Sequence, residues 1–541
     1  MNITKSAYFA PALLSLTICA LLCAAGLFAR PLFPVDETRY LSVAWEMLQN
    51  HNFILPTLNF EPYHHKPPVL FWLINLMWAI FGVSQQSAMI VPYLAGFATL
   101  MLTARLSKRL FPDNQNAPLL SVAILGGLFP FVVYTNLIMF DLLLSVFVMI
   151  GITAIWDFFK TGKTIHLLTL SIAIGLGAIT KGPVILLHLA PAIFLVKIWM
   201  DKATLPPLKS TAPKFAGALL LGVLIGLCWA IPAAIEGGKE FAEKIFYGQT
   251  AGRMVNAFDH KRPVFWYFMF VPLFFMPWVF SPAFWSGTKA AWNNAAQKKI
   301  VQFLLCWAIP VFAAFCFISG KQVHYLLPLM PPIALLICAA FLSLKKPFRK
   351  RDFLPILLGA ILLTLIPVLA HFLAAKIAAS MPNSVHIEDG FSSIWITPPL
   401  VLSALIAILG LILCRTKEVK KIMVATAISM ALMMVSFQIS AKSAFFKNYD
   451  LTPIGNEIAK DPSRPVAFLG GYNGEFSFLG KIDKPIEIIK GKKPPKEWFK
   501  THPNGLAVVF TRTPDNFKGY TILQSIPYKM TNTYLVIEQK K

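Results

Sequence analysis

Residues 34–72, PVDETRYLSVAWEMLQNHNFILPTLNFEPYHHKPPVLFW, decide how the rest of the chain is threaded. They follow an apolar run at 8–28, whose length suits a membrane-spanning helix rather than a cleaved leader. Asp36, Glu37 and Arg39 open the stretch, and Tyr63, His64, His65 and Lys66 close it before Pro67-Pro68. Tyr40, Leu41, Ala44, Trp45 and Leu48 recur at helical spacing, with Arg39, Ser42, Glu46 and Gln49 on the other face. That pattern predicts a short amphipathic helix on a membrane surface with an acidic start. Asp36 is also a favoured N-cap type, and a cap would account for it without chemistry. Neither reading explains why acids, imidazoles and a lysine gather beside one bilayer.

The 541 residues are 56% hydrophobic and 14% charged, with 45 Phe and 13 Trp, and apolar runs near the spanning length of about 20 residues recur throughout. The chain reads as a polytopic α-helical membrane protein. Its net charge of +24 does not indicate nucleic acid, because the basic residues are scattered through short inter-span loops. The seven cysteines fall in or at the ends of apolar runs, without disulfide or zinc spacing.

Orientation turns on residues 68–83. If they crossed the membrane, Arg105, Lys108 and Arg109 would share a side with the acidic cluster. Taken as interfacial or re-entrant, they bring the basic loops into register from Lys160/Lys163 to Lys420/Lys421, all on the cytoplasmic side. The chain then has about thirteen spans, an internal N-terminus and an external C-terminus. The external face receives the loop at about 31–85, Asp141, Lys181 in ITKGP, the loop at about 236–263, and Lys321, His324 and Tyr325 in SGKQVHYLLP. Residues 1–440 form the membrane part. Residues 441–541 read as a separate α/β module, with helices near 453–460 and 496–500. Its strand candidates are PVAFLGG, EFSFLG, PIEIIKG, LAVVFTR, YTILQSI and TYLVIEQ.

Lys66, Lys181, Arg253, Arg262 and Lys321 come from separate segments yet share this face, so they are candidates to meet one phosphate, with Tyr63, His324 and Tyr325 as neutral donors. Interfacial snorkelling is the plainer reading of each cation taken singly. Asp36 and Asp141 are the candidate catalytic carboxylates. Asp141 stands in an otherwise apolar run, where an unpaired acid would be costly. His64, His65, Asp259 and His260 raise the possibility of a bound metal, but their spacing does not support one and ordinary hydrogen-bonding histidines are the default.

The segment VDETRYLSVAWEML with Y-x-x-K-P-P, then ITKGP, FYGQTAGRMVNAFDHKRPVFWYF and SGKQVHYLLPLMP, resembles, in order over about residues 30–345, the membrane glycosyltransferases related to protein O-mannosyltransferases. Within them it is most similar to the 4-amino-4-deoxy-L-arabinose:lipid A transferases. The resemblance implies a GT-C fold, a periplasmic cavity at a bacterial inner membrane, a polyprenyl-phosphate sugar donor and a lipid A acceptor. It matches Asp36 to the first-loop acid, Asp141 to the acid at the second external turn and Lys66 to the lysine on carrier phosphate. Lys321 and Tyr325 match the late K-x-x-x-Y segment, and His260 a His-containing basic turn. His65 stands where the arabinose enzymes commonly carry Glu, and a structural zinc at that acid and the loop histidine, implied by the resemblance, would here fall to His65 and His260. A protein O-glycosyltransferase keeps the same fold. An anionic-lipid transporter would instead call for ionisable groups at mid-span and repeated halves, and neither pattern is evident.

Overall fold

Backbone N–H and C=O groups find no water in hydrocarbon, so a chain this apolar satisfies them within helices. A computed structural model describes residues 3–246, 261–344, 418–442, 446–491, 494–528 and 532–540, and besides these only 349, 351, 352 and 412. Among the described residues, seven helices are long and apolar enough to cross a membrane, from Ala7–Ala29 to Val419–Ile439. Shorter apolar helices such as Ala117–Gly126, Ile165–Lys181 and Val184–Phe194 accompany them. The spans expected between 353 and 411 lie outside the described residues.

Helix α1 (Ile3–Ala29) delivers the chain to α2 (Asp36–Gln49), and a two-stranded hairpin, β1 (Thr57–Leu58) and β2 (Glu61–Pro62), leads on to α3 (Val69–Phe81). With 13 residues, α3 reaches about 20 Å, too short to cross a hydrocarbon core of about 30 Å. It keeps Leu76, Ile80 and Phe81 exposed, while Asn75 donates to the Ala44 carbonyl of α2. Its length fits the expectation that 68–83 does not cross the membrane.

The Phe140–Thr161 helix sets the depth scale. Asp141 lies in its first turn, and Asp157, about 24 Å further along, pairs with Arg109 at 2.5 Å. Arg109 and Asp141 therefore sit at opposite ends of one span. Gly162, at φ +71°, turns the chain back into Ile165–Lys181, so the start of one helix meets the end of the next.

At the C-terminus, β3 (Val466–Leu469), β4 (Glu487–Ile489), β5 (Leu506–Thr511), β6 (Thr521–Tyr528) and β7 (Asn532–Glu538) form one sheet in the order β4-β3-β5-β7-β6. The β4-β3-β5 pairs are parallel; β5-β7 and β7-β6 are antiparallel. Both faces carry apolar cores, one around Phe468, Val508 and Val536 and the other around Leu469, Phe499 and Leu535. Five of the six strand candidates are strands. EFSFLG is not: its amides at Phe476 and Ser477 donate to Tyr472 Oη, and that of Phe478 donates to Ser42 Oγ. Side chains satisfy this backbone, so it has no need of a ladder.

That segment covers α2. The helix was expected to turn its polar face outward, yet Ser42 and Glu46 are fully buried. Ser42 Oγ donates to the Gly474 carbonyl, Trp45 Nε1 to that of Ile482 and Arg39 Nε to that of Asn473. Asn59 exchanges two bonds with Ile486, and Phe478 stacks on Trp78 with ring centroids 5.2 Å apart. Glu46, 0% exposed, accepts from Thr57 Oγ1 and from the amides of Asn59 and Phe60. Burial raises its pKa against the pull of those three donors.

Gly474 makes this contact possible. Its φ is +80°, and a Cβ there would lie 2.7 Å from Leu58 Cδ1 and 3.1 Å from the Arg39 Cα. Gly474→Ala is expected to push the segment off α2 and cut turnover by about tenfold or more, since small misplacements at a site are expensive. A Cβ on Gly471 meets nothing within 4 Å. Gly471→Ala is therefore the control, expected to match wild type in a turnover assay on membrane-inserted protein.

Candidate active site

The chain puts its first carboxylates at the start of α2, and the two adjacent acids have opposite fates. Glu37 is 2% exposed and takes Arg30 in a bidentate pair at 2.6 and 2.8 Å. It also accepts from the amides of Phe33 and Ile138. The second nitrogen of the Arg30 fork donates to the Asn136 carbonyl. This clamp ties the end of α1, the start of α2 and the 136–138 turn together. Asp36 is exposed and is not the N-cap, since Val35 holds that position without a side-chain cap bond. Tyr40 Oη donates to its Oδ1 at 3.4 Å.

Around Asp36 the cluster is built from distant segments. Tyr40 is buried, which raises its phenol well above the ordinary value, with Asp36 and Tyr63 adding to the effect. It therefore stays a neutral donor. Burial works against the charge of Arg39, but Tyr63, Asp36 and Tyr40 outweigh it and raise the guanidinium pKa overall. Arg39 was read from sequence only as part of a polar face. Its spacing of i, i+3 from Asp36 was the available signal.

The second acid arrives through the helical hairpin. Asp141, 2% exposed, sits at a helix N-terminus, and Lys181 at the C-terminus of the following helix, each where the backbone dipole favours its charge. Lys181 Nζ donates to Asp141 Oδ1, and His324 Nε2 stands 3.8 Å from Oδ2. Gly182, at φ +78°, turns the chain away immediately after Lys181, which accounts for the glycine of ITKGP. Lys181 Nζ also lies 4.3 Å from the ring centroid of Tyr325, which packs edge-on against His324. Lys66 is half-buried, with Nζ 5.5 Å over the Phe140 ring and within electrostatic reach of Asp141. Tyr63 is buried beside Phe71, and its ring is 5.3 Å from that of His65.

Asp36, Tyr63, Lys66, Asp141, Lys181, His324 and Tyr325 thus come together. Lys321 is held by backbone carbonyls instead of by the side chains of this cluster. It is 2% exposed and donates to the carbonyls of Arg262 at 3.0 Å and Ile318 at 2.6 Å, which fastens the 261–320 bridge. Two of the three ammonium N–H groups are thereby given to backbone. Arg262 is exposed, with its guanidinium 5.9 Å from the Trp266 ring. Arg253 and His260 lie outside the described residues. Among the described residues no three His, Cys, Asp or Glu side chains cluster as metal ligands, and His65 stacks on His64 at 4.3 Å. No step is assigned to zinc.

A polytopic helical body with short helices in its first loop and a small C-terminal sheet has the GT-C membrane fold. Within that class the chain is similar to solved structures of ArnT from Cupriavidus metallidurans. The form bound to undecaprenyl phosphate matches with a TM-score of 0.74 and the apo form with 0.76, at 17% and 16% identity, each over 97% of both chains. A family model described as dolichyl-phosphate-mannose-protein mannosyltransferase matches residues 65–229. The undecaprenyl phosphate-α-4-amino-4-deoxy-L-arabinose arabinosyl transferases of Enterobacter sp. (strain 638) and Serratia proteamaculans are each 28% identical, over 318 and 364 residues. These alignments take in 57% and 64% of this chain and 55% and 63% of the relatives. The chain is a multi-pass membrane protein.

Proposed function

We propose that the protein transfers a sugar, an aminosugar of the 4-amino-4-deoxy-L-arabinose type, from a polyprenyl-phosphate carrier to a lipid A phosphate at the periplasmic face of the bacterial inner membrane. One observation carries the reading. Two carboxylates from separate elements, Asp36 and Asp141, stand among Arg39, Lys66 and Lys181 at one end of the spans. A donor with its hydrocarbon in the bilayer presents its phosphate at that depth.

In the reaction an acceptor phosphate oxygen bonds to the anomeric carbon as the bond to the carrier phosphate breaks. The departing phosphate gains charge, and Lys66, with Arg39 nearby, is placed to neutralise it. An acceptor phosphate is already anionic, so Asp36 orients it or the sugar amine and takes no proton from it. Asp141, which accepts from Lys181 and lies beside His324, fixes the position of the Lys181 ammonium. The family-model match favours a second reading, in which a protein hydroxyl is the acceptor and Asp36 removes its proton. Mass spectrometry of lipid A from cells with and without the gene separates the two. A mass increment of one aminosugar residue, present only with the gene, supports the first; unchanged lipid A together with a lost protein glycoform supports the second.

The same reading divides the chain into a membrane part at 1–440 and a periplasmic module at 441–541, with the first-loop helices at about 31–85 on the module's side. A reporter fused after Lys541 is expected to work only when exported, and one inserted at 345–351 only in the cytoplasm. A C-terminal reporter active in the cytoplasm would move every proposed site residue to the wrong face.

A further inference from the structure

The reaction outlined above draws on the first loop and the membrane helices and gives the C-terminal module no part. It leaves one buried acid of that module unused. Glu475 is 4% exposed and lies among Tyr472, Tyr528 and Tyr534, each within electrostatic reach of it. A carboxylate in such a setting is costly to desolvate and is kept where it is bonded and paired. Its Oε2 accepts from the Asn473 amide at 2.6 Å, and its own amide adds a second donor. Burial raises its pKa, against the pull of those two amides and of the Arg39 charge.

From Glu475 a chain of contacts leads to the proposed reacting region. The carboxylate fixes the turn at 473–475 from within the module, and Ser42 of α2 grips the same turn, donating to the Gly474 carbonyl at 2.9 Å. The turn then offers the Asn473 carbonyl to Arg39 Nε, 3.3 Å away. An arginine fork held at Nε keeps its two terminal nitrogens for other partners. Asp36, Tyr40 and Tyr63 lie within electrostatic reach of this guanidinium. Arg39 is half-buried, and its long side chain has several rotamers to lose. A carbonyl fixed on its far side restricts that choice before any phosphate arrives, which is where positioning pays in rate.

We propose that Glu475 is a positioning residue of the transfer reaction: its carboxylate sets the 473–475 turn, whose Asn473 carbonyl holds Arg39 for the carrier phosphate. The C-terminal module thereby acts in the active site through Arg39. The proposal rests on the lipid-linked donor reading. Full-length protein in nanodiscs would be given a polyprenyl-phosphate aminosugar and lipid A, as wild type, Glu475→Gln, Arg39→Lys and the double variant. Glu475→Gln keeps size and one acceptor oxygen and removes the charge, so the module should fold while the turn loosens. Its kcat should fall about tenfold with donor KM within about twofold, as expected when a group serving the departing phosphate is misplaced. Arg39→Lys keeps a positive charge and lacks Nε, so adding Glu475→Gln to it should cost less than about twofold more. Glu457→Gln is the control: this buried acid of the same module pairs with Lys460 at 2.7 Å, and its loss should leave kcat unchanged.

Binding of the product, a polyprenyl monophosphate, supplies a readout without turnover. It carries the charge that the departing phosphate acquires, so Glu475→Gln should weaken its Kd by about tenfold and add little in the Arg39→Lys background. Losses that multiply in full in the double variant would overturn the positioning role. So would a Glu475→Gln protein of wild-type kcat and product affinity, which would leave the carboxylate a support of its own turn. Equal losses in Glu457→Gln would do the same, since they would mark a general loosening of the module. Wild type that neither transfers the sugar nor binds the polyprenyl phosphate would defeat the functional reading itself, and the proposal with it.

Discussion

Replacing Asp36 by Asn leaves a folded, membrane-inserted protein whose sugar transfer falls by about 10²-fold or more, ~2.7 kcal/mol of barrier. The structure separates this loss from a structural one. Asp36 is exposed, makes no cap bond and meets Tyr40 only at 3.4 Å, so its charge contributes little to holding α2. The fold instead rests on its neighbour. Glu37 closes four contacts with Arg30, Phe33 and Ile138, and removing one partner of such a buried pair costs about 3–5 kcal/mol. Glu37→Gln should therefore lower thermal stability in detergent, whereas Asp36→Asn should not. Turnover of Asp36→Asn within a few-fold of wild type, measured on protein of unchanged melting temperature, would return Asp36 to the role of a solvated surface acid.

The fold class, and several of the polar residues that meet at one end of the spans, were legible because they depend on short-range pattern. Run lengths marked the spans, period 3.6 marked α2, the count of basic loops set residues 68–83 apart, and a lone Asp141 in an apolar run stood out by its cost. What escaped depends on contacts across hundreds of residues. The polar face of α2 looked solvated, yet residues 473–486 bury it, and no periodicity near residue 40 can announce a partner so far along the chain. EFSFLG looked like a strand because its composition is that of one, while Ser42 and Tyr472 take up its amides. Arg30 passed as an unremarked cation at a span end, and the two carbonyls that hold Lys321 were not foreseen. In sequence a lysine looks the same whether it faces a ligand or two carbonyls. Asp141 and Lys181 were each singled out, but their pairing follows from a hairpin of two helices whose ends meet, and sequence alone does not fix that geometry.

Lys66→Ala is expected to depress kcat/KM for a polyprenyl-phosphate aminosugar by about 10²-fold. The lysine is placed for this by local chemistry: Pro67-Pro68 stiffen the chain behind it, and Phe140 lies beneath its ammonium at 5.5 Å. Half-buried at the level where α2 and the Asp141 turn meet, it acts in a medium less polarisable than water, where a point charge gains weight. Its contact with the carrier phosphate strengthens as that phosphate departs with added charge, so the loss should fall on kcat more than on KM. Lys66→Arg should restore only part of the rate, because a planar fork replaces a compact ammonium. The donor is tested in the same assay. Purified protein is offered either the lipid-linked sugar or the matching nucleotide sugar, with lipid A as acceptor. Product from the lipid-linked donor alone, lost in Lys66→Ala, is the expected result. Product from the nucleotide sugar alone, undiminished in that variant, would remove both the carrier and the lysine from the mechanism.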